Sequence, residues 1–247
     1  MKLILSLIAI TISANLFAQT KEITNWDSYL GIKEKYHVLE SDKNIKEGAY
    51  TAYTISDDKL ICKGYYKNNL KDSIWNYYSR LNKLAEFGKY LNGEKVGVWN
   101  AYDSNDDLEV QFDYTNKKLL TYNRSKSDTA NRQYYVINGN DTLKTFLSRP
   151  PIFLDGEGKY VPGIHYPQVA REKNIQGKVL VAFTIDLNGK TSNFRIKKSL
   201  GYGCDEEALK AVKNSLSGDW LPGLLNGNAV IIDYEVPANF SIQQDYR

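Results

Sequence analysis

Three successive stretches of the chain read almost as one: YTAYTISDDKLICKGYYKNNLKD at 50–72, IWNYYSRLNKLAEFGKYLNGEKV at 74–96 and VWNAYDSNDDLEVQFDYTNKKLL at 98–120. Alignment superposes Tyr53, Tyr78 and Tyr102, then Leu60, Leu84 and Leu108, then Tyr66, Tyr90 and Tyr114. The last two sets recur every 24 residues, and the first step of the Tyr53 set is 25, which gives the first unit one extra turn residue. Each unit holds two short alternating segments around a polar turn such as SNDD, and a second turn such as NGEKVG leads to the next unit. This is the pattern of a hairpin array. A lone hairpin is marginal in water, so the units are expected to build one antiparallel sheet over Lys46–Tyr122. Trp75 and Trp99 take the same place in successive units, with Tyr50 in the first, and the rings should stack on one face as a core.

The third unit opens with Gly97-Val98-Trp99-Asn100-Ala101-Tyr102, a G-x-W-x-x-Y pattern. Through it the array resembles the MORN-type repeats of bacterial exported proteins, which implies a scaffold or protein-contact surface. Working outward, the N-terminus MKLILSLIAITISANLFAQT has Lys2, an apolar run from Leu3 to Ile12, and Ala18 before a polar chain. Residues 1–18 therefore read as a signal peptide or an uncleaved anchor, and residues 19–45 as a lead-in to the repeats. Export brings an oxidising compartment, where Cys62 and Cys204 read as two unpaired packing cysteines.

The whole is 247 residues with 42% apolar and 25% charged, enough for one large domain or two of common size. A net charge of +3, with both signs interspersed, offers no basic stripe for nucleic acid. Tyrosine is abundant, with 19 residues against eight Phe and one Met, which suits wet, half-buried sheet faces. Residues 123–149 read as a connector, with one strand pair, Tyr134–Val136 and Thr142–Phe146, around NGND. All six prolines lie from Pro150 onward, and a second domain is placed at 150–247.

That second region reads element by element. Pro167 suits a first helical turn; Gly177 ends the helix. Val179, Val181, Phe183 and Ile185 alternate along a strand that turns at Asn188-Gly189 and returns through TSNFRIKKSL. CDEEALKAVKNSL places Ala208, Leu209, Val212 and Leu216 on one helical face, with Asp205, Glu206 and Glu207 in the first turn, where the helix dipole favours acids. A closing strand follows in NGNAVIIDYEVPANFSI at 226–242, where Val230, Ile232, Tyr234 and Val236 alternate with Asp233 and Glu235 until Pro237. The order is αββαβ, and the fold class expected is α+β: this small antiparallel sheet with helices on one face, preceded by the all-β repeat sheet.

From Tyr166-Pro167 through Gly177, Asp186, Gly189 and DEEAL to Pro222-Gly223, the region is similar to the C-terminal domain of TonB over about 75 residues. The resemblance implies a periplasmic domain that grips an extended segment of outer-membrane receptors as a strand beside its own last strand. Carried over by position, the contacting residues are Val230, Ile231, Ile232, Asp233, Tyr234 and Glu235, with Tyr166 and Pro167. It further implies receptors of energy-coupled transport as partners and, for a full transducer, inner-membrane proton-motor proteins. The edge has two other candidate occupants: a second copy of the domain, making a homodimer, or the 123–149 connector. A non-transducing periplasmic adaptor is the alternative function.

No enzyme is expected. Cys204 near a helix start and His165 are the nearest approach to a nucleophile and base. GYGCDE lacks the third glycine and parallel-strand context of a dinucleotide loop. Two histidines and two isolated cysteines furnish no zinc set, and Asp103-x-Asn105-x-Asp107 fails as a calcium loop because Leu108 and Tyr114 stand where Gly and Glu are needed. No catalytic residue, cofactor or metal is assigned.

Overall fold

The computed structural model describes residues 19–103, 105–123, 132–155 and 164–242. The signal-peptide reading of 1–18 lies outside them. The first sheet is a nine-stranded antiparallel meander in sequence order. Its strands are β1 Thr20–Asp27, β2 Ile32–Leu39, β3 Lys46–Thr54, β4 Leu60–Lys67, β5 Leu70–Tyr78, β6 Leu84–Leu91, β7 Glu94–Tyr102, β8 Leu108–Asp113 and β9 Lys118–Tyr122. The two-residue turns Asn68-Asn69 and Asn92-Gly93 all take positive φ, which turns of this length need and which Asn and Gly tolerate best. A register shift recurs at one place in each unit, beside Tyr53, Tyr78 and Tyr102. The 24-residue period is thus a period of bulges as well as of side chains.

One face of this sheet is an aromatic ladder. The buried Trp75 ring meets Tyr66 at 5.3 Å and 89° and Tyr90 at 6.0 Å and 78°. Trp99 repeats this between Tyr90, at 4.9 Å and 83°, and Tyr114, at 6.0 Å and 70°. Such edge-to-face contacts bring the positive ring edge onto a negative face. Gly64 and Gly88 make the indole seats, since a Cβ on either would lie 2.3 Å or 2.2 Å from the ring of Trp75 or Trp99. Each indole N–H donates to a backbone carbonyl, Tyr65 or Lys89, so burial leaves neither unsatisfied.

The second sheet combines β10 Tyr134–Asn138, β11 Asp141–Thr145, β13 Gly177–Ile185, β14 Thr191–Lys198 and β17 Asn228–Phe240, in the order β11-β10-β17-β13-β14. Three short strands complete the set: β12 Ile152–Phe153 pairs with β15 Trp220–Leu221, and β16 Gly223–Leu225 pairs with β17. Two helices are present among the described residues, α1 Gln168–Glu172 and α2 Cys204–Leu216. Cys204, Ala208 and Val212 on α2 close a core over Val179, Val181, Phe183 and Ile185. That is the face the alternation selected.

The α+β class does not hold for this chain. Among the described residues strands make up 57% and helices 9%, so the described fold is mostly β. The lead-in supplies β1 and β2, and the connector supplies β10 and β11, because alternating segments next to an open sheet edge satisfy their backbone groups best by joining it.

The two sheets are fastened together. Ile152 and Leu154 belong to the core of the aromatic ladder, with Leu221 packed against it. Beside them the Lys95 ammonium reaches Glu86 at 2.8 Å and Asp155 at 2.5 Å. Burial works against its charge, but Glu86 and Asp155 hold Lys95 well above its ordinary pKa. At the other end, Tyr29 from the β1–β2 turn donates to Glu207 on α2 at 2.7 Å, with the Lys210 ammonium 3.8 Å from its ring centre.

Candidate functional site

Strand β17 is the candidate interface; of its thirteen residues, nine pair with β13, three with β10 and three with β16. Toward the interior, Ile232 to Phe240 run against Ile185 to Gly177 on β13 without a break. Pro237 stands in mid-ladder opposite Leu180. Having no N–H, it fits there only where the missing amide would point away from β13. Alternation then turns the backbone groups of Ile231, Asp233, Glu235, Pro237 and Asn239 outward. The Glu235 carbonyl agrees, since it accepts from Arg132 Nη2 at 2.9 Å outside the β13 ladder.

That outer side is partly occupied. Ile231, Ile232 and Asp233 pair with Ile137, Val136 and Tyr135 of β10. The 123–149 connector, one of the expected occupants, therefore covers the centre of the sequence-derived contact stretch. Past Asp233 the outer edge carries the Arg132 contact and then Pro237, which offers no donor.

Side chains alternate as expected. Ile232 is fully buried, and Tyr234 and Val236 pack on the core that α2 covers. Asp233 and Glu235 lie on the opposite face, where Asp233 is buried all the same: Arg195 Nη2 donates to it at 2.6 Å, and Lys197 Nζ lies 3.4 Å away. Lys197 also reaches Glu235 at 2.5 Å, and this hydrogen bond, against the pull of burial, raises its pKa above the ordinary lysine value. The row ties β17 to β14 across β13.

Tyr166 and Pro167 sit away from that edge. The Tyr166 hydroxyl donates to the Ile175 carbonyl and its ring meets Phe240 at 5.5 Å, so it closes the helix end onto the core. Pro167 precedes the five-residue α1 as its N-cap. A groove of about 510 Å³ runs beside it, lined by His165, Tyr166, Gln168, Arg171 and Glu172. A second, about 770 Å³, lies between the β10–β11 and β16–β17 hairpins, with Val136, Leu143, Leu187, Leu225 and Val230 in its walls.

Sequence reasoning missed Arg132, Tyr134, Tyr135 and Val136. Tyr134 and Val136 are buried, and the Arg132 guanidinium lies over Tyr134 at 5.1 Å and Tyr234 at 4.6 Å while donating to the Tyr234 hydroxyl at 3.1 Å. Alternation around NGND marked the strands, but nothing local names their partner.

Elsewhere, polar groups serve structure. Burial pushes the Cys204 thiol up, opposite to what a nucleophile needs, and both cysteines are buried. His165 Nδ1 lies 3.8 Å from Glu207. Asp103 Oδ1 accepts from the amides of Asn105 and Asp107, closing a hairpin turn.

Residues 162–242 match the family described as Gram-negative bacterial TonB protein C-terminal. The match runs from just before α1 to the end of β17, so it supports a TonB-type C-terminal domain in that stretch. No curated protein matches the chain. Two crystal structures of S. aureus TarM, one of them a mutant in complex with Fondaparinux, alpha-GlcNAc-glycerol and UDP, are 15% identical. Each covers 42% of this chain, which spans 21% of theirs, at a TM-score of 0.24, too slight a likeness to bear on fold or function.

Proposed function

We propose that this protein works in the cell envelope, in energy-coupled transport, by taking up an extended segment of an outer-membrane receptor as a strand beside β17. One observation carries the reading: within the matched residues 162–242, the sheet ends at β17, and the strand that continues it comes from outside that stretch. An edge that already accepts one strand has the backbone geometry to accept another. Binding is the proposed task, and no catalytic step is assigned.

The adaptor reading has its own support. Ile74 and Val98, equivalent in successive units, are exposed on the repeat sheet together with Tyr65. That face would serve a second protein, in keeping with the MORN-type resemblance. Retention of the N-terminal segment in the membrane separates the two readings, because force transmission requires an anchor.

The test is amide mapping. Overlapping peptides from periplasm-facing segments of outer-membrane transport receptors are titrated into the ¹⁵N-labelled chain. Shifts centred on Ile231, Asp233 and Glu235 are expected. A saturating complex whose shifts avoid β17 altogether would refute strand addition there.

A further inference from the structure

We infer that the β10–β11 hairpin is a built-in competitor for the partner strand, which has to leave β17 before an external strand can pair across Ile231–Asp233. The inference rests on the strand-addition reading and concerns its regulation.

The competition follows from where ladder groups remain. Outward backbone groups are carried by Ile231, Asp233, Glu235, Pro237 and Asn239. The first two already bond within β10 pairing, and the Glu235 carbonyl is held by Arg132. Pro237 has no donor. Only the stretch under the hairpin offers consecutive donors and acceptors, so an incoming strand and β10 need the same atoms. The groups are exchanged between partners, and backbone hydrogen bonds are conserved in the exchange.

The hairpin is also the weakly held part of the sheet. It pairs with β17 over three residues, against nine for β13. Its inward side chains are Tyr134 and Val136, while Leu143 on β11 is 57% exposed. Arg132 acts as the latch: its two contacts to residues 234 and 235 extend closure past the last strand pair, Tyr135↔Asp233. The Lys197 ammonium, 4.4 Å from the Tyr135 ring centre, adds a contact from β14.

Val136 and Ile232 face each other at a site flanked by the bonded pairs 135–233 and 137–231. Non-bonded antiparallel pairs have Cα atoms about 4.5 Å apart, within disulfide reach. Val136→Cys with Ile232→Cys in the full chain therefore permits a reversible lock. Fluorescent versions of the receptor-segment peptides are titrated against the oxidised lock, the reduced lock, the parent and Arg132→Ala.

Oxidation is expected to weaken binding at least about tenfold, dithiothreitol to restore it, and Arg132→Ala to tighten it above the parent, since the competent fraction sets apparent affinity. Equal binding by oxidised and reduced protein would overturn the competitor while leaving strand addition at another edge standing. Binding by none of the four would overturn both. Hydrogen exchange on the unmodified chain gives an independent check without any ligand. The outward amides of Ile231 and Asp233 should exchange at least about tenfold faster than the inward amides of Ile232 and Tyr234. Equal protection of the two sets would show that the hairpin never opens alone, and the inference would fall.

Discussion

The repeat sheet and the terminal sheet are both antiparallel, yet they are assembled by different rules. In the first, every strand pairs with its neighbour in sequence, and the indoles of Trp75 and Trp99 sit on Gly64 and Gly88 in the strand just before. In the second, β17 pairs with β13 and with β10, so Ile231 meets Ile137 from the far side of both helices. Near-neighbour pairing costs little loop closure and repeats the same solution. Distant pairing must be held by particular side chains such as Arg132, and what is held by a few contacts can be released. On the proposed reading, the repeats are the rigid part and the terminal edge is the part that exchanges partners.

The sharpest test of the contrast is Trp99→Ala. The ring lies buried between Tyr90 and Tyr114, and its loss should cost about 4 kcal/mol. Urea unfolding followed by fluorescence and by circular dichroism should still show one coincident transition, because Ile152 and Leu154 tie the ladder to the terminal region. Two separated transitions would break the picture of fastened sheets.

Lys95→Met comes next. It removes the cation shared by the buried Glu86 and the partly buried Asp155, for a loss of about 3 kcal/mol. Adding Asp155→Asn should recover part of this. If the double variant is no more stable than the single one, the charge pairing is not what fastens the strap.

Alkaline pH should act on the ladder more gradually. Burial pushes Tyr66 up to about 12 from an ordinary 10.0, and Tyr50, Tyr77 and Tyr114 are raised for the same reason. The unfolded chain therefore releases these protons first. Their contribution is fully present below pH 10.0 and is lost as pH rises toward about 12. Tyrosinate absorbance should lag in the folded protein and rise together with unfolding.

The smallest effect belongs to Tyr29→Phe. It removes one half-exposed hydrogen bond to Glu207 and should cost under about 1 kcal/mol in chemical denaturation. A larger loss would mean that the β1–β2 turn fastens the sheets as strongly as the strap does.

The sequence by itself determined the hairpin period, the aromatic face and the alternation of β17, because each is a local pattern repeated within reach of a turn. The order of helices and strands after Pro167 was legible for the same reason: 3.6 and 2 are periods a single segment displays. It did not determine that residues 19–45 become strands, nor which edge the strand pair around NGND joins. Their alternation is short, and a strand exists only where an edge is free to bond it. Nor could it place Tyr166, whose ring and hydroxyl are spent on Phe240 and Ile175 inside the domain. Only the tertiary structure decided what covers β17. An edge advertises identical N–H and C=O groups to any strand, so its occupant is chosen by side chains far away in sequence: Tyr134, Val136 and the Arg132 latch.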